Sequence, residues 1–289
     1  MRVETKPSLL DTIFLSEKRK NLLLLLKEEG PKSDDDIKDA FDFPWKSITP
    51  QIKKLIDCGL ILEDNGIYTL SDMGTVIASN MQFFLNTLSI YEENLEFWFD
   101  HDLSSIPFHL LTRIGELGKV QIMERDPDTY LVPEEITKNI VDSSRIMAFI
   151  PAFNPSYLLY LEFLEKCIEA TLIITKPTFE ILQTEYNSDS PYIKTNNLIL
   201  NKALIQYKQE MKRILNNKAS NFLVYEGDLK PISIIVADKI FVLSLLDKKG
   251  RLETEFLIAS EPQALKWGEE LFMYYKERAK PVSASFYSL

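Results

Sequence analysis

Residues 71–100 run without a proline and carry apolar side chains at Ile77, Met81, Phe84, Leu88, Tyr91, Leu95 and Trp98, in alternating steps of four and three. That is the spacing by which helices seam together. A second row, Val76, Phe83, Ile90 and Phe97, repeats every seven residues beside the first, which makes the stripe wider than a two-stranded coiled coil needs. One edge can meet a partner helix while the other meets its own domain. Ser71 and Asp72 supply capping side chains, and such a helix spans roughly 40 Å at about 1.5 Å per residue. The polar residues Asn80, Gln82, Asn86, Thr87, Glu92 and Glu93 fall on the other side. The expectation is a linker helix over 76–100 whose first row forms a dimer seam; the alternative is a long core helix in a monomer.

Ahead of it, residues 9–28 read as a helix closed by Gly30-Pro31, a pair that ends a helix and does not resume it. Ser33 caps a short helix over 34–41, whose leading Asp34, Asp35 and Asp36 suit the positive end of the helix dipole. After the Phe43-Pro44 turn, a third helix to Cys58 buries Ile48, Ile52, Leu55 and Ile56 and leaves Ser47, Thr49, Gln51, Lys53 and Lys54 outward. Pro50 fits if it lies near that helix's first turn. The pattern then switches to period two on either side of Asp64-Asn65-Gly66, a strong hairpin signal. Three helices and a hairpin in this order describe a winged helix-turn-helix over 1–75, the third helix entering the major groove and the hairpin lying along the DNA backbone. In this reading Lys46, Lys53 and Lys54 meet phosphates, Ser47, Thr49 and Gln51 reach base edges, and Asn65 marks the hairpin tip.

Charge does not make this argument. Residues 1–75 hold 11 Lys and Arg against 14 Asp and Glu, and the whole chain is at −10, so contact with nucleic acid has to be local. The same fold can instead bind protein, and an adaptor or structural dimer is the competing reading. At 289 residues and 45% hydrophobic content the chain can bury a large core in two domains. No signal peptide is evident, and the purely aliphatic run 22–26 is far short of the roughly 20 residues that span a bilayer. A cytoplasmic protein without membrane contact is expected. Cys58 and Cys167 lie in no metal-ligand spacing and read as small buried residues.

Residues 101–289 alternate strands and helices after a helical bridge over 103–117. Strands are expected at 120–123, 145–150, 171–175, 221–225, 232–237, 240–246 and 256–259, and helices at 133–142, 155–170, 177–185, 197–216 and 262–280. The pair 232–246 forms an antiparallel hairpin through Asp238-Lys239, so the domain is an α/β sandwich with a mixed sheet.

Pro50-Gln51-Ile52-Lys53-Lys54-Leu55, Arg113-Ile114-Gly115-Glu116-Leu117, Ala237-Asp238, and Trp267-Gly268-Glu269-Glu270-Leu271-Phe272 with Tyr274-Tyr275 carry a family likeness. In these motifs the chain resembles the archaeal winged-helix regulators of methanogens, the filamentation and methanogenesis regulator type. More distantly it is similar to TrmB-type regulators, whose rear domain is a phospholipase D-like fold without its catalytic residues. The resemblance covers nearly the whole chain. It implies a dimeric transcription regulator that binds an operator in double-stranded DNA and whose rear domain binds a small-molecule effector.

Catalysis of the phospholipase D type needs a His nucleophile with a Lys two residues on, normally twice. The two histidines, His101 and His109, both lack that Lys, and the chain has no Gly-rich phosphate loop, Gly-x-Ser-x-Gly or Cys/His cluster. No enzyme activity, cofactor or metal is expected, and a hydrolase of that class is the remote alternative. Effector sites in open α/β sheets lie at the carboxyl ends of the strands. Here those ends hold Phe153, Asn154, Thr175, Lys176 and Tyr225, with Lys176 suited to an anionic group and Phe153 or Tyr225 to an apolar one; the plainer reading is ordinary loop caps. The aromatic stripe Trp267, Phe272, Tyr274 and Tyr275 reads as core.

Overall fold

The computed structural model describes residues 8–126, 132–151, 169–180, 220–227, 230, 232–251 and 254–282. The chain divides into two compact units, Met1–Asn86 and Thr87–Leu289.

The N-terminal unit opens with α1 (Leu9–Phe14) and α2 (Glu17–Glu29) where one helix over 9–28 was expected. Ser16 causes the break: its hydroxyl accepts the Arg19 N–H and starts a new helix, just as Ser8 starts the first. α3 (Asp34–Ala40) begins with a reciprocal capping box between Ser33 and Asp36. The Ser33 hydroxyl, then its backbone N–H, hold the Asp36 carboxyl below its usual range. α4 (Trp45–Asp57) follows Pro44, so Pro50 lies well past the first turn expected for it. It removes the N–H that would have met the Lys46 carbonyl, and the helix continues because its opposite face is locked by the buried Ile48, Ile52 and Leu55.

The hairpin forms as β2 (Ile61–Asp64) and β3 (Ile67–Leu70), with Asp64 opposite Ile67. Asn65 at φ 50° and Gly66 at φ 79° supply the two positive-φ positions that a two-residue turn of this hand requires. A third strand, β1 (Lys32–Ser33), pairs antiparallel with β3 and gives the order β1-β3-β2.

α5 (Asp72–Glu93) starts at Ser71, whose Oγ accepts the Gly74 N–H at 2.9 Å. Gly74 is required there, because a Cβ would stand 2.0 Å from the Leu60 carbonyl oxygen. Ala78 and Met81 of α5 join Leu22, Leu23, Leu26, Ile37, Leu55 and Leu60 in the core of the N-terminal unit. The helix expected to run unbroken over 71–100 instead stops before Asn94 (φ −135°, ψ 42°) and resumes as α6 (Leu95–Asp100). At the break the Trp98 indole donates to the Ile90 carbonyl at 2.9 Å and stabilises the elbow.

The C-terminal unit is built on an eight-stranded mixed sheet. Its strands are β4 (Val120–Glu124), β5 (Arg145–Ile150), β6 (Glu169–Thr175), β7 (Ser220–Tyr225), β8 (Ser233–Ala237), β9 (Phe241–Ser244), β10 (Glu255–Ala259) and β11 (Ala279–Pro281). The order is β11-β7-β6-β5-β8-β9-β10-β4, parallel across β7-β6-β5 and antiparallel elsewhere. Period-two alternation along β5 sends Met147 and Phe149 to one core and Ile146 and Ala148 to another. The first core takes Phe97 and Trp98 of α6 and the terminal helix α9 (Pro262–Lys276); the second takes α8 (Glu134–Val141).

Pro107 and the glycines at 115 and 118 divide the expected 103–117 bridge into 3-10 turns at Leu103–Ser105 and Ile114–Leu117 with α7 (Phe108–Leu111) between them. The helix expected over 262–280 ends at Lys276, and residues that follow turn back to pair with β7. The helix expected at 197–216 lies outside the described residues, as does the one at 155–170 except for Glu169 and Ala170, which are strand.

Candidate nucleic-acid interface and sheet-end site

α4 presents two kinds of side chain. Ile48, Ile52 and Leu55 anchor it, while Lys46, Thr49, Lys53 and Lys54 are exposed and Ser47 and Gln51 are half-buried. The three lysines have no ion-pair partner among the described residues. The hydroxyls of Ser47 and Thr49 donate back to the carbonyls of Pro44 (2.7 Å) and Trp45 (3.0 Å), which leaves their lone pairs outward as acceptors. Gln51 is tied inward, its Oε1 accepting from the Arg19 guanidinium at 2.5 Å.

Arg19, which the sequence reading passed over, is buried and also donates to the Thr12 carbonyl, so it clasps α1, α2 and α4 together. Its spacing to Leu22, Leu23 and Leu26 places it in the apolar stripe of α2, and a charge in that stripe was the available signal. Asn65 is exposed at the hairpin tip and bonded to Asp64 at 2.9 Å. Within the hairpin, burial and then the neighbouring Asp34 push the Tyr68 hydroxyl up to about 12. Cys58, at the end of α4, is a half-buried free thiol.

Along the seam row, Met81 and Trp98 are buried in the two cores and Ile77 and Tyr91 are half-buried, whereas Phe84 (51%), Leu88 (36%) and Leu95 (64%) are exposed. In the second row Val76 and Phe83 are exposed, while Ile90 and Phe97 are buried. Phe84 meets Phe14 of α1 edge-on, with ring centroids 6.5 Å apart, and Leu10 and Leu15 lie exposed on and beside α1.

At the sheet ends, Phe153 and Asn154 lie outside the described residues. Thr175 and Tyr225 face each other in register on β6 and β7, and Lys176 follows. Thr175 Oγ1 donates to the Pro151 carbonyl at 3.0 Å and lies 2.9 Å from the Thr178 hydroxyl. The buried Tyr225 ring packs on Phe149 (5.4 Å) and Tyr275 (5.3 Å). Lys176 Nζ stands 4.0 Å from Glu226, whose other oxygen accepts from Lys280 at 2.5 Å.

The motif residues of the rear domain prove to be packing residues. Trp267, Phe272 and Tyr275 are fully buried, and Arg113 forks onto Glu116 (2.6 Å) and Glu270 (2.6 Å). Asp238 accepts from both the N–H and the hydroxyl of Ser144, which holds its carboxyl below the usual range. His101 is buried, stacks on Phe97 and contacts the Phe97 carbonyl through Nδ1 at 2.7 Å; His109 lies near Tyr274. Among the described residues no cluster of His, Cys, Asp and Glu is placed to hold a metal ion, and no helix is long and apolar enough to cross a membrane.

Two family models match the chain: the N-terminal domain of methanogenesis regulatory protein FilR1 over residues 8–89, and its middle domain over 129–198 and 193–278. The chain belongs to the FilR1 family. A relative in that family, methanogenesis regulatory protein FilR1 of Methanothrix harundinacea (strain 6Ac), is 24% identical over 270 residues. The match takes in 92% of this chain and 56% of the relative, so the chain spans little more than half of that protein's length. Among solved structures, the archaeal chromatin protein TrmBL2 is similar at 12% identity and a TM-score of 0.37, over 91% of this chain and 100% of that one. Nuc of Salmonella typhimurium, a phospholipase D family member, is similar at 10% identity and a TM-score of 0.37, over 57% of this chain and 100% of its own. Likenesses this loose carry no argument about function.

Proposed function

We propose that this FilR1-family chain is a cytoplasmic transcription regulator that binds a double-stranded DNA operator as a homodimer. In this reading residues 1–75 act as a winged helix-turn-helix, 76–100 link and dimerise, and 101–289 form a regulatory domain that takes a small-molecule effector. α4 enters the major groove, with Lys46, Lys53 and Lys54 on phosphates, Ser47 and Thr49 accepting from base edges, Gln51 offering its amide N–H, and Asn65 along the backbone. The observation that carries it is the α4 face itself: three lysines without a counter-charge on a helix held firmly from behind. Membership in a family of regulators supports the same reading.

The seam is the exposed part of the row, Phe84, Leu88 and Leu95, extended by Val76 and Phe83; burying these against a second copy removes apolar surface from water. The effector site is the sheet end, where Lys176 meets an anionic group and Thr175 and Tyr225 shape the described part of the rest. A ligand favouring one of two dimer arrangements by about 1.4 kcal/mol changes operator affinity tenfold.

The testing experiment is footprinting of genomic fragments with the full chain, together with light scattering of free protein and complex. Protected, paired half-sites bound by a dimer are expected. A second reading, a protein-binding adaptor, is favoured by the acidic α3 and the chain charge of −10; it predicts that no fragment is retained at any salt concentration.

A further inference from the structure

The geometry points to a second ligand site in the C-terminal unit, a groove of about 410 Å³ between α8, the β4–β10 edge and the β8–β9 turn, which takes a small organic anion with an apolar body. It lies across the sheet from Thr175, Lys176 and Tyr225: those residues are on or beside β6 and β7, while the groove is at the β10-β4 end of the strand order. It therefore depends neither on the sheet-end site nor on DNA binding.

Its volume is in the range of small-molecule pockets, and its lining is more polar than theirs, with seven polar residues to five apolar. Met123, Ile136, Ile240 and Ile258 make an apolar floor, two of them (Ile136 and Ile240) buried. Lys119 and Lys239 stand over it from different segments, and neither ammonium has a carboxylate partner among the described residues. The lining also carries the Glu261 carboxylate, which is held by backbone and paired with neither ammonium. Glu261 lies against Gly118, where a Cβ would come within 2.1 Å of its Oε2, and its Oε1 accepts the Lys119 backbone N–H at 3.3 Å.

The side-chain amides of Gln121 and Asn139 likewise have no partner among the described residues and supply neutral donors and acceptors. Glu135 at the rim disfavours a second negative charge on the ligand and accepts a hydroxyl or amine from it. Two unpaired cations above an apolar floor are complementary to one anionic head on a short branched body.

The test uses full-length protein carrying ¹³C-methyl methionine. Met123 reports from the groove, and Met81 and Met273 lie outside it as internal controls. The probes are isovalerate and isobutyl phosphate, which separate a carboxylate from a phosphate head, with isobutanol as the uncharged counterpart. A saturable shift of the Met123 methyl with one or both anions is expected, with a dissociation constant of roughly 1 mM for ligands this small, and none with isobutanol. Lys119→Gln combined with Lys239→Gln weakens it at least about tenfold, at an unchanged melting temperature, because both side chains are exposed. No saturable shift with either anion overturns the proposal, as does an equal response to isobutanol. Binding that survives in the double variant but is lost in Lys176→Gln also overturns it, and assigns the anion to the sheet end.

Discussion

The outward face of α4 and the carboxyl end of the β5-β6-β7 strands both collect polar and charged side chains, yet they hold them in opposite states. On α4 the ammonium groups of Lys46, Lys53 and Lys54 are exposed and have no partner among the described residues. At the sheet end Thr175 is bonded to Pro151, Tyr225 is packed between Phe149 and Tyr275, and Glu226 is placed between Lys280 and Lys176. Side chains that bond one another hold the fold, whereas cations left unpaired can meet an outside charge without first breaking an internal one. The same criterion admits Lys119 and Lys239, along with other described lysines of that unit such as Lys138 and Lys276. It passes over every arginine described in the C-terminal unit, since Arg113, Arg125, Arg145, Arg251 and Arg278 all have polar partners.

The largest effect is expected where the contrast is greatest. If Lys53 and Lys54 contact phosphates as proposed, replacing both by Ala lowers the salt slope of operator binding by about 1.8 and affinity on the order of 60-fold at about 0.1 M salt, with thermal stability unchanged. Fluorescence anisotropy across a salt series reads both numbers, and an unaltered slope would take the phosphate role away from α4.

Thr175→Val tests the other side of the contrast. The hydroxyl donates to the half-buried Pro151 carbonyl and is shared with the buried Thr178 hydroxyl, so its loss costs about 1–3 kcal/mol in urea denaturation while operator affinity stays as it was. A stable Val variant would mean that the sheet-end hydroxyls are as free as the α4 lysines.

A smaller effect belongs to Asp102. Its hydrogen bond from Lys230, then those from Ser104, lower its pKa to about 2. The folded value is below the unfolded one, so the stabilisation is present above about pH 4 and is lost as pH falls through about 2. Because Lys230 is half-exposed, about 1 kcal/mol is at stake, and Asp102→Asn should flatten the stability profile between those limits. An acid limb identical to that of the parent chain would remove Asp102 from the engaged group.

Smallest of all is Lys176→Ala. An exposed lysine 4.0 Å from its carboxylate should change stability by less than about 0.5 kcal/mol, and a loss above about 1 kcal/mol would move it from the available to the structural side.

Much of this organisation is legible from residues alone, where a short segment carries its own signal. The apolar runs of the C-terminal unit mark seven of its eight described strands to within a few residues, β11 overlapping the end of the expected terminal helix, and the Asn65-Gly66 pair marks a turn that only positive φ can close. What is hidden depends on contacts between distant segments. β1 is two residues long and has no periodicity of its own; it exists because Lys32 meets Tyr68. The break at Asn94 is invisible because the apolar row continues in sequence across it, and only the Trp98 hydrogen bond to Ile90 shows why the backbone leaves the helix. The inward turn of Gln51 needs Arg19, which is on another helix. The groove draws Lys119, Asn139, Lys239 and Ile258 from four separated stretches, so no window of sequence contains it.

The indole hydrogen bonds of the C-terminal unit have an optical consequence. Trp98 and Trp267 are buried and donate to the Ile90 and Leu110 carbonyls, while Trp45, the remaining tryptophan, belongs to the N-terminal unit and lies half-buried beneath the Lys38 ammonium, 4.9 Å from its ring. Emission from two dry, bonded indoles differs in colour from that of one wet, cation-capped indole. A single Trp45→Phe substitution leaves a fluorescence signal that comes from the C-terminal unit alone, and the difference from the parent chain reports the N-terminal unit. The molecule can therefore be followed through denaturation or ligand addition one unit at a time, without an attached dye.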